Sequence, residues 1–151
     1  MTGLIIGKFC PPHKGHKLLI DTGTAETDAL TVLVCASAAD PLPIDLRLEW
    51  LREMHPTVDF QVIFPDTFDR SDANAWVAAS LERISGKPDL VFSSEEYGIL
   101  YAEILGAGHR MIDKERVLIS CTASEILQDP SRNLHYLEEP VRRYFDAGIG
   151  N

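Results

Sequence analysis

The sequence predicts an open, doubly wound α/β domain: a five-stranded, mostly parallel sheet with helices on both faces. Two observations carry that prediction. Apolar runs of strand length recur at Gly3 to Phe9, Leu30 to Ala36, Val58 to Phe64, Leu90 to Ser93 and, more weakly, Arg110 to Ile112. They are near-continuously apolar rather than alternating, as strands covered on both faces must be. Between them, apolar residues return at helical spacing. A β-α-β-α-β-α-β-α-β order binds its ligands outside the carboxyl ends of the strands, where the winding reverses, so the end of the first strand is where a site is expected.

Taken in order, the first strand, Leu4-Ile5-Ile6, ends in Gly7-Lys8-Phe9, and Pro11-Pro12 stiffens the turn that follows. Proline is tolerated only before or within a first helical turn, so the first helix should begin close to His13. After the second strand, Leu46, Trp50 and Met54 recur every four residues. After the third, the segment Pro65 to Ala73, with Asp66, Asp69 and Asp72, reads as an irregular, mobile loop over the sheet edge. The next helix follows from Val77, Leu81 and Ile84, with Trp76 at its start. The fourth strand leads through Ser93-x-x-Glu96, a possible capping pair, into a helix marked by Tyr97, Leu100, Tyr101 and Ile104. Beyond the last strand, Thr122-x-x-Glu125 fits a capping box. The tail from Asp129, broken by Pro130 and Pro140, reads as short helices packed back on a single domain spanning 1–151.

Composition narrows the function. A net charge of −9 argues against a nucleic-acid partner, because backbone phosphate binding needs a Lys/Arg surplus on at least one face. No apolar run approaches the roughly 20 residues of a membrane span. The start, Met1-Thr2-Gly3, lacks the pattern of a secretory signal, and Cys10, Cys35 and Cys121 are odd in number and far apart. The expectation is a cytoplasmic protein with reduced thiols and no membrane or nucleic-acid partner. Homo-oligomerisation stays open.

The chemistry concentrates in Gly7-Lys8-Phe9-Cys10-Pro11-Pro12-His13-Lys14-Gly15-His16. His13 and His16 stand three residues apart in the first helical turn, where unpaired backbone N–H groups and the positive dipole end already favour an anion. Two imidazoles there can donate N–H hydrogen bonds to phosphate, and Gly15 has no Cβ to keep a nucleotide away. Lys8 and Lys14 can add positive charge. Cys10, His13 and His16 also form a C-x2-H-x2-H cluster, but a structural zinc site wants four ligands with longer loop spacing, so no metal ligand is assigned.

This segment resembles the signature of the H-x-G-H nucleotidyltransferases. The whole chain is similar to the adenylyltransferase domain of the bifunctional nicotinamide mononucleotide adenylyltransferase/ribosylnicotinamide kinase family. Further stretches carry the likeness: Leu30 to Cys35, Arg47 with Trp50-Leu51-Arg52-Glu53, Val91 to Gly98, and Tyr136-Leu137 to Val141-Arg142-Arg143-Tyr144-Phe145. Nothing reads as the G-x4-G-K-[ST] loop of the kinase half. The resemblance implies a Rossmann-like fold and transfer of AMP from ATP, with Mg²⁺, to nicotinamide mononucleotide, giving NAD and pyrophosphate. By resemblance, His13, His16 and Lys8 are the catalytic residues. Gly7, Phe9, Gly15, Ser94, Thr122 and Ser124 bind ATP, and Trp76 and Arg47 bind the small mononucleotide acceptor.

The family's second phosphate motif, I-S-G-T-x-I-R, aligns without gaps with Cys121-Thr122-Ala123-Ser124-Glu125-Ile126-Leu127. The hydroxyls persist in exchanged order, but Leu127 stands where the arginine is expected. A register through Ile119-Ser120-Cys121-Thr122 puts Glu125 there instead. Arg132 is a candidate substitute. Two other readings follow: a related adenylyl- or cytidylyltransferase with another phosphate acceptor, or an ATP-binding regulator that lost turnover.

Overall fold

The computed structural model describes residues 1–116, 118–119 and 122–149, the last three without their side chains. The elements run β1 (Thr2–Gly7), α1 (Lys14–Glu26), β2 (Ala29–Cys35), α2 (Ile44–Met54), β3 (Asp59–Ile63), α3 (Ala73–Leu81), β4 (Leu90–Ser93), α4 (Tyr97–Leu105), β5 (Gly108–Met111), α5 (Ala123–Gln128), α6 (Pro130–Asn133) and α7 (Glu139–Ile149). The strands form one sheet in the order β3-β2-β1-β4-β5, every pairing parallel. The winding reverses between β1 and β4, the crevice where such sheets take ligands.

Strand alternation sorts the core into two layers. Ile5, Val32, Val34 and Phe92 face α1 and α2, where Leu19, Ile20, Leu48 and Leu51 meet them. Leu4, Ile6, Leu33, Cys35 and Val91 face α3 and α4, against Val77, Tyr101, Ala102 and Leu105. A third cluster joins α2 to the C-terminal helices through Trp50, Ile126, Leu137 and Val141, with Cys10 and Leu42. The tail is thus packed back on the domain, with Pro130 opening α6 and Pro140 in the first turn of α7. Among the described residues no helix is long and apolar enough to cross a membrane.

The differences from expectation have local causes. The first apolar run overshoots β1 because Phe9 turns out of the strand into the left-handed region, at φ 52°. The weak fifth run begins earlier, at Gly108, since an edge strand with half-exposed His109 carries little apolar signal. Pro65 to Ala73 holds a 3-10 turn at Pro65–Thr67, and Asp66 ties it to the segment after β2. The Asp66 carboxylate accepts from Ser37 Oγ at 2.9 Å and Ala38 N at 2.9 Å, and it pairs with Arg70. Asp72 caps α3. Ser93 does not cap α4. Its hydroxyl lies 2.6 Å from His109 Nε2 and 3.0 Å from the Glu95 carbonyl, so Glu96 opens the helix without a side-chain cap.

Candidate functional site

The turn from β1 into α1 is built around its two histidines. His13 is the N-cap of α1, and its Nδ1 accepts from the main-chain N–H of Gly15 at 3.0 Å and of His16 at 3.4 Å. His16 reciprocates: its Nδ1 accepts from His13 N at 3.1 Å. This is a capping box in which imidazoles replace the usual Ser and Glu. The rings stack with centroids 3.7 Å apart and planes 21° from parallel, and Phe9 meets His16 edge-on at 4.7 Å.

The geometry fixes protonation. A ring nitrogen that accepts from a main-chain N–H carries no proton, so in both neutral rings the proton sits on Nε2. Burial holds His13 neutral, lowering its pKa to about 4, and the Arg116 charge adds to the effect. His16 is pushed well below the usual range, first by burial, then by His13 and Arg116. Each ring is therefore an uncharged Nε2–H donor at neutral pH.

Gly15 has a different reason for being glycine from the one the sequence suggested. A Cβ there would stand 2.8 Å from His13 Cε1 and 3.0 Å from its Nδ1, so its missing side chain makes room for the capping ring rather than for a ligand. Phe9 is likewise corrected. Its side chain is 1% exposed and supports His16 from inside the core, which leaves only its main chain for a nucleotide.

Arg47 is the largest correction. It was expected to touch the acceptor, but it is 1% exposed. Its guanidinium donates to the Lys8 carbonyl at 2.7 Å, the Cys35 carbonyl at 3.0 Å and Asp40 Oδ2 at 2.9 Å. It pins the ends of β1 and β2 together and lies outside the cavity that holds Trp76. The signal was in the spacing: Arg47, Trp50, Leu51 and Met54 recur at i, i+3, i+4 and i+7, which sets a charge inside an apolar stripe. Lys8 stays largely exposed, with Nζ 3.4 Å from Asp40 Oδ1.

Past the carboxyl ends of β1 and β2, on the side of α3 and α4, a cavity of about 420 Å³ is lined by Ile6, Gly7, Lys8, Cys35, Arg70, Ser71, Ala73, Trp76, Tyr97, Leu100 and Tyr101. Its size suits a small ligand. Trp76 is fixed in its wall: Nε1 donates to the Arg70 carbonyl at 2.8 Å, and Phe68 packs edge-on at 5.0 Å. The Tyr97 hydroxyl donates to the Ile6 carbonyl at 3.3 Å. Burial raises the Tyr97 hydroxyl and the Cys35 thiol to about 12, so both are neutral. The structure thus brings Gly7, Lys8 and Trp76 to one cavity, while His13 and His16 occupy the other flank of the β1 end. Composition alone did not single out Arg70 or the tyrosines of the cavity.

The second motif is only partly within the described residues; Ser120 and Cys121 lie outside them. Thr122 caps α5, its Oγ1 accepting from Glu125 N at 3.2 Å, and Ser124 is exposed. Ser94, just past β4, is half-buried. Leu127 packs against the third apolar cluster, and Arg132 is exposed on α6. Lys14 is half-buried in the first turn of α1.

No protein-family model matches the chain. In sequence it is 25% identical, over 168 aligned positions and 95% of its length, to the trifunctional NAD biosynthesis/regulator protein NadR of Escherichia coli (strain K12), of which it covers 40%. The chain therefore spans about two fifths of the length of the curated relatives it matches. In structure it is similar to a NadR protein in complex with NR (TM-score 0.74, 18% identity, 95% of this chain and 45% of that one). It is similar also to a NadR protein in complex with NAD and AMP-PNP (0.71, 20%, 95% and 46%). A third similar structure is a bifunctional NMN adenylyltransferase/ADP ribose pyrophosphatase from Francisella tularensis, complexed with AMP and a manganese ion (0.68, 14%, 99% and 49%).

Proposed function

We infer that this chain, a nucleotidyltransferase domain of the NMN adenylyltransferase type by sequence similarity and fold, transfers AMP from ATP to nicotinamide mononucleotide, giving NAD and pyrophosphate. The observation that carries the reading is the pair of stacked, neutral imidazoles at the mouth of α1, both with Nε2 as donor, at the carboxyl end of the central strand. An acceptor phosphate oxygen attacks the α-phosphorus of ATP. The new P–O bond forms as the bond to the departing pyrophosphate breaks, with no covalent intermediate on the protein.

The protein's part is positioning and charge stabilisation. His13 and His16 donate to phosphate oxygens, with the N–H groups of the helix mouth adding partial positive charge. Lys8 follows the developing charge from the cavity side. Thr122, Ser124 and Ser94 are assigned to ATP, together with the main chain at Gly7 and Phe9. Trp76 offers its ring to the acceptor's base in the 420 Å³ cavity. Mg²⁺ carried on the triphosphate oxygens would neutralise charge on the leaving pyrophosphate.

One observation favours a second reading, an ATP-binding homologue with weakened turnover: Leu127, at the position of the family's arginine, is committed to the apolar cluster. The test is pyrophosphate release from ATP and Mg²⁺ across a panel of phosphate acceptors. NAD formation with nicotinamide mononucleotide is the expected result. Release with another acceptor redirects the assignment, tight ATP binding without release supports the second reading, and no ATP binding defeats both.

A further inference from the structure

With Leu127 turned into the apolar cluster, the phosphate grip lacks the guanidinium that the resemblance implies, and Arg132 stands exposed on α6. A different arginine sits at the reacting end of the sheet. Arg116 follows β5 in the loop that crosses the mouth of α1. There Ile119 comes within 3.8 Å of where a Gly15 Cβ would be. The loop is built, not slack: Asp113 and Arg116 both hold left-handed φ, at 50° and 53°. The Asp113 carboxylate accepts from Leu118 N at 3.0 Å and Ile119 N at 2.9 Å, and Arg116 N donates to the Asp113 carbonyl at 2.9 Å. The Arg116 side chain, one third exposed, donates through Nη2 to Glu95 Oε1 at 3.0 Å, just past the end of β4. Lys114 pairs with the neighbouring Glu96. The guanidinium is thus held beside the end of β4 by a partly exposed ion pair.

We propose that Arg116, from the loop after β5, is the cation that grips the polyphosphate of ATP in this chain, in place of the arginine that Leu127 replaces. The inference rests on the nucleotidyl-transfer reading above. Independent support comes from the histidines, whose protonation the Arg116 charge opposes in both rings. The Arg116 charge thus bears on both rings at the mouth of α1. Glu95 then acts as a holder that presents the guanidinium and gives up part of the contact when a more highly charged oxyanion arrives.

The test is calorimetric titration with AMP-PNP and Mg²⁺, alongside pyrophosphate release, on the parent, Arg116→Gln, Arg116→Lys, Arg132→Gln and Glu95→Gln, each checked for an unchanged thermal melt. Loss of one charge-assisted hydrogen bond predicts roughly a 10- to 150-fold weaker Kd and lower kcat/KM for Arg116→Gln. Arg116→Lys should recover part of that loss, Arg132→Gln should stay within about 2-fold of the parent, and Glu95→Gln should bind at least as tightly. The proposal is overturned if Arg116→Gln binds as the parent does, if Arg132→Gln carries the loss, or if Glu95→Gln costs as much as Arg116→Gln, since Arg116 would then only brace the loop. A parent that binds AMP-PNP but transfers nothing still tests Arg116 through Kd and removes the reaction alone. A parent that does not bind AMP-PNP overturns both.

Discussion

The turn from β1 to α1 and the short helix α5 are built to different standards. In the first, two rings cap one another's backbone, Phe9 supports one of them, and Arg47 ties the Lys8 carbonyl to β2. In the second, a six-residue helix is capped by one hydroxyl and its apolar side is spent on the third cluster. Catalysis by fixed donors needs the first kind of construction, because donors that do not reorganise act on the transition state at no added cost.

Arg47 offers the hardest way to break this contrast. Arg47→Met removes one partner of a buried pair, leaving Asp40 only Ser37 N and the exposed Lys8, and takes the guanidinium from two carbonyls. The expected loss is about 3–5 kcal/mol, read as a shift in the denaturant midpoint. A loss below about 1 kcal/mol would mean the turn does not depend on its anchor. His16→Gln comes next. Glutamine at this position retains the capping arrangement, so stability should change little, while turnover should fall roughly 10²- to 10³-fold, the effect of removing one fixed donor. Turnover close to the parent's would take His16 out of the reaction.

Acid provides a third lever. His13 titrates at about 4 in the fold against 6.5 in the free side chain, and His16 and His55 are lowered too, all chiefly by burial. Between those values the unfolded chain binds protons that the native chain refuses. Stability should therefore be complete above about pH 6.5 and fall as the pH drops toward 4. Melting temperatures recorded from pH 7.5 to 4.5 should show the slope, and His13→Asn, which keeps an N-cap acceptor, should flatten it. The smallest expected effect is on the other side of the comparison: Thr122→Ala should cost about 1 kcal/mol by chemical denaturation and, with the hydroxyl assigned to ATP gone, weaken ATP binding by roughly 2- to 10-fold.

The layers of this molecule were legible because burial on both faces writes itself as unbroken apolar runs, and Leu90 to Ser93 was read to the residue. The position of the candidate site was legible too, since a strand, two prolines and a helix start leave few places for His13 and His16. What stayed hidden was direction. Nothing in a run ending Gly7-Lys8-Phe9 announces that Phe9 bends inward, or that the empty side of Gly15 is filled by a neighbouring ring. Arg47 read as a ligand contact through the resemblance, although its place in the stripe Arg47, Trp50, Leu51 and Met54 already set the charge among apolar residues; its carbonyl partners show what holds it there. Arg116 lies in Asp113-Lys114-Glu115-Arg116, a charged run indistinguishable in sequence from an ordinary loop.

The claim on which the rest depends is that two neutral rings present Nε2–H to the polyphosphate, and long-range ¹H–¹⁵N NMR of the imidazoles at pH 7, with and without AMP-PNP and Mg²⁺, tests it most directly. Both rings should be neutral and protonated at Nε2 in the free protein, and their Nε2 resonances should shift on ligand addition while Nδ1 stays an acceptor. Imidazolium spectra, protons on Nδ1, or Nε2 signals indifferent to saturating ligand would contradict it.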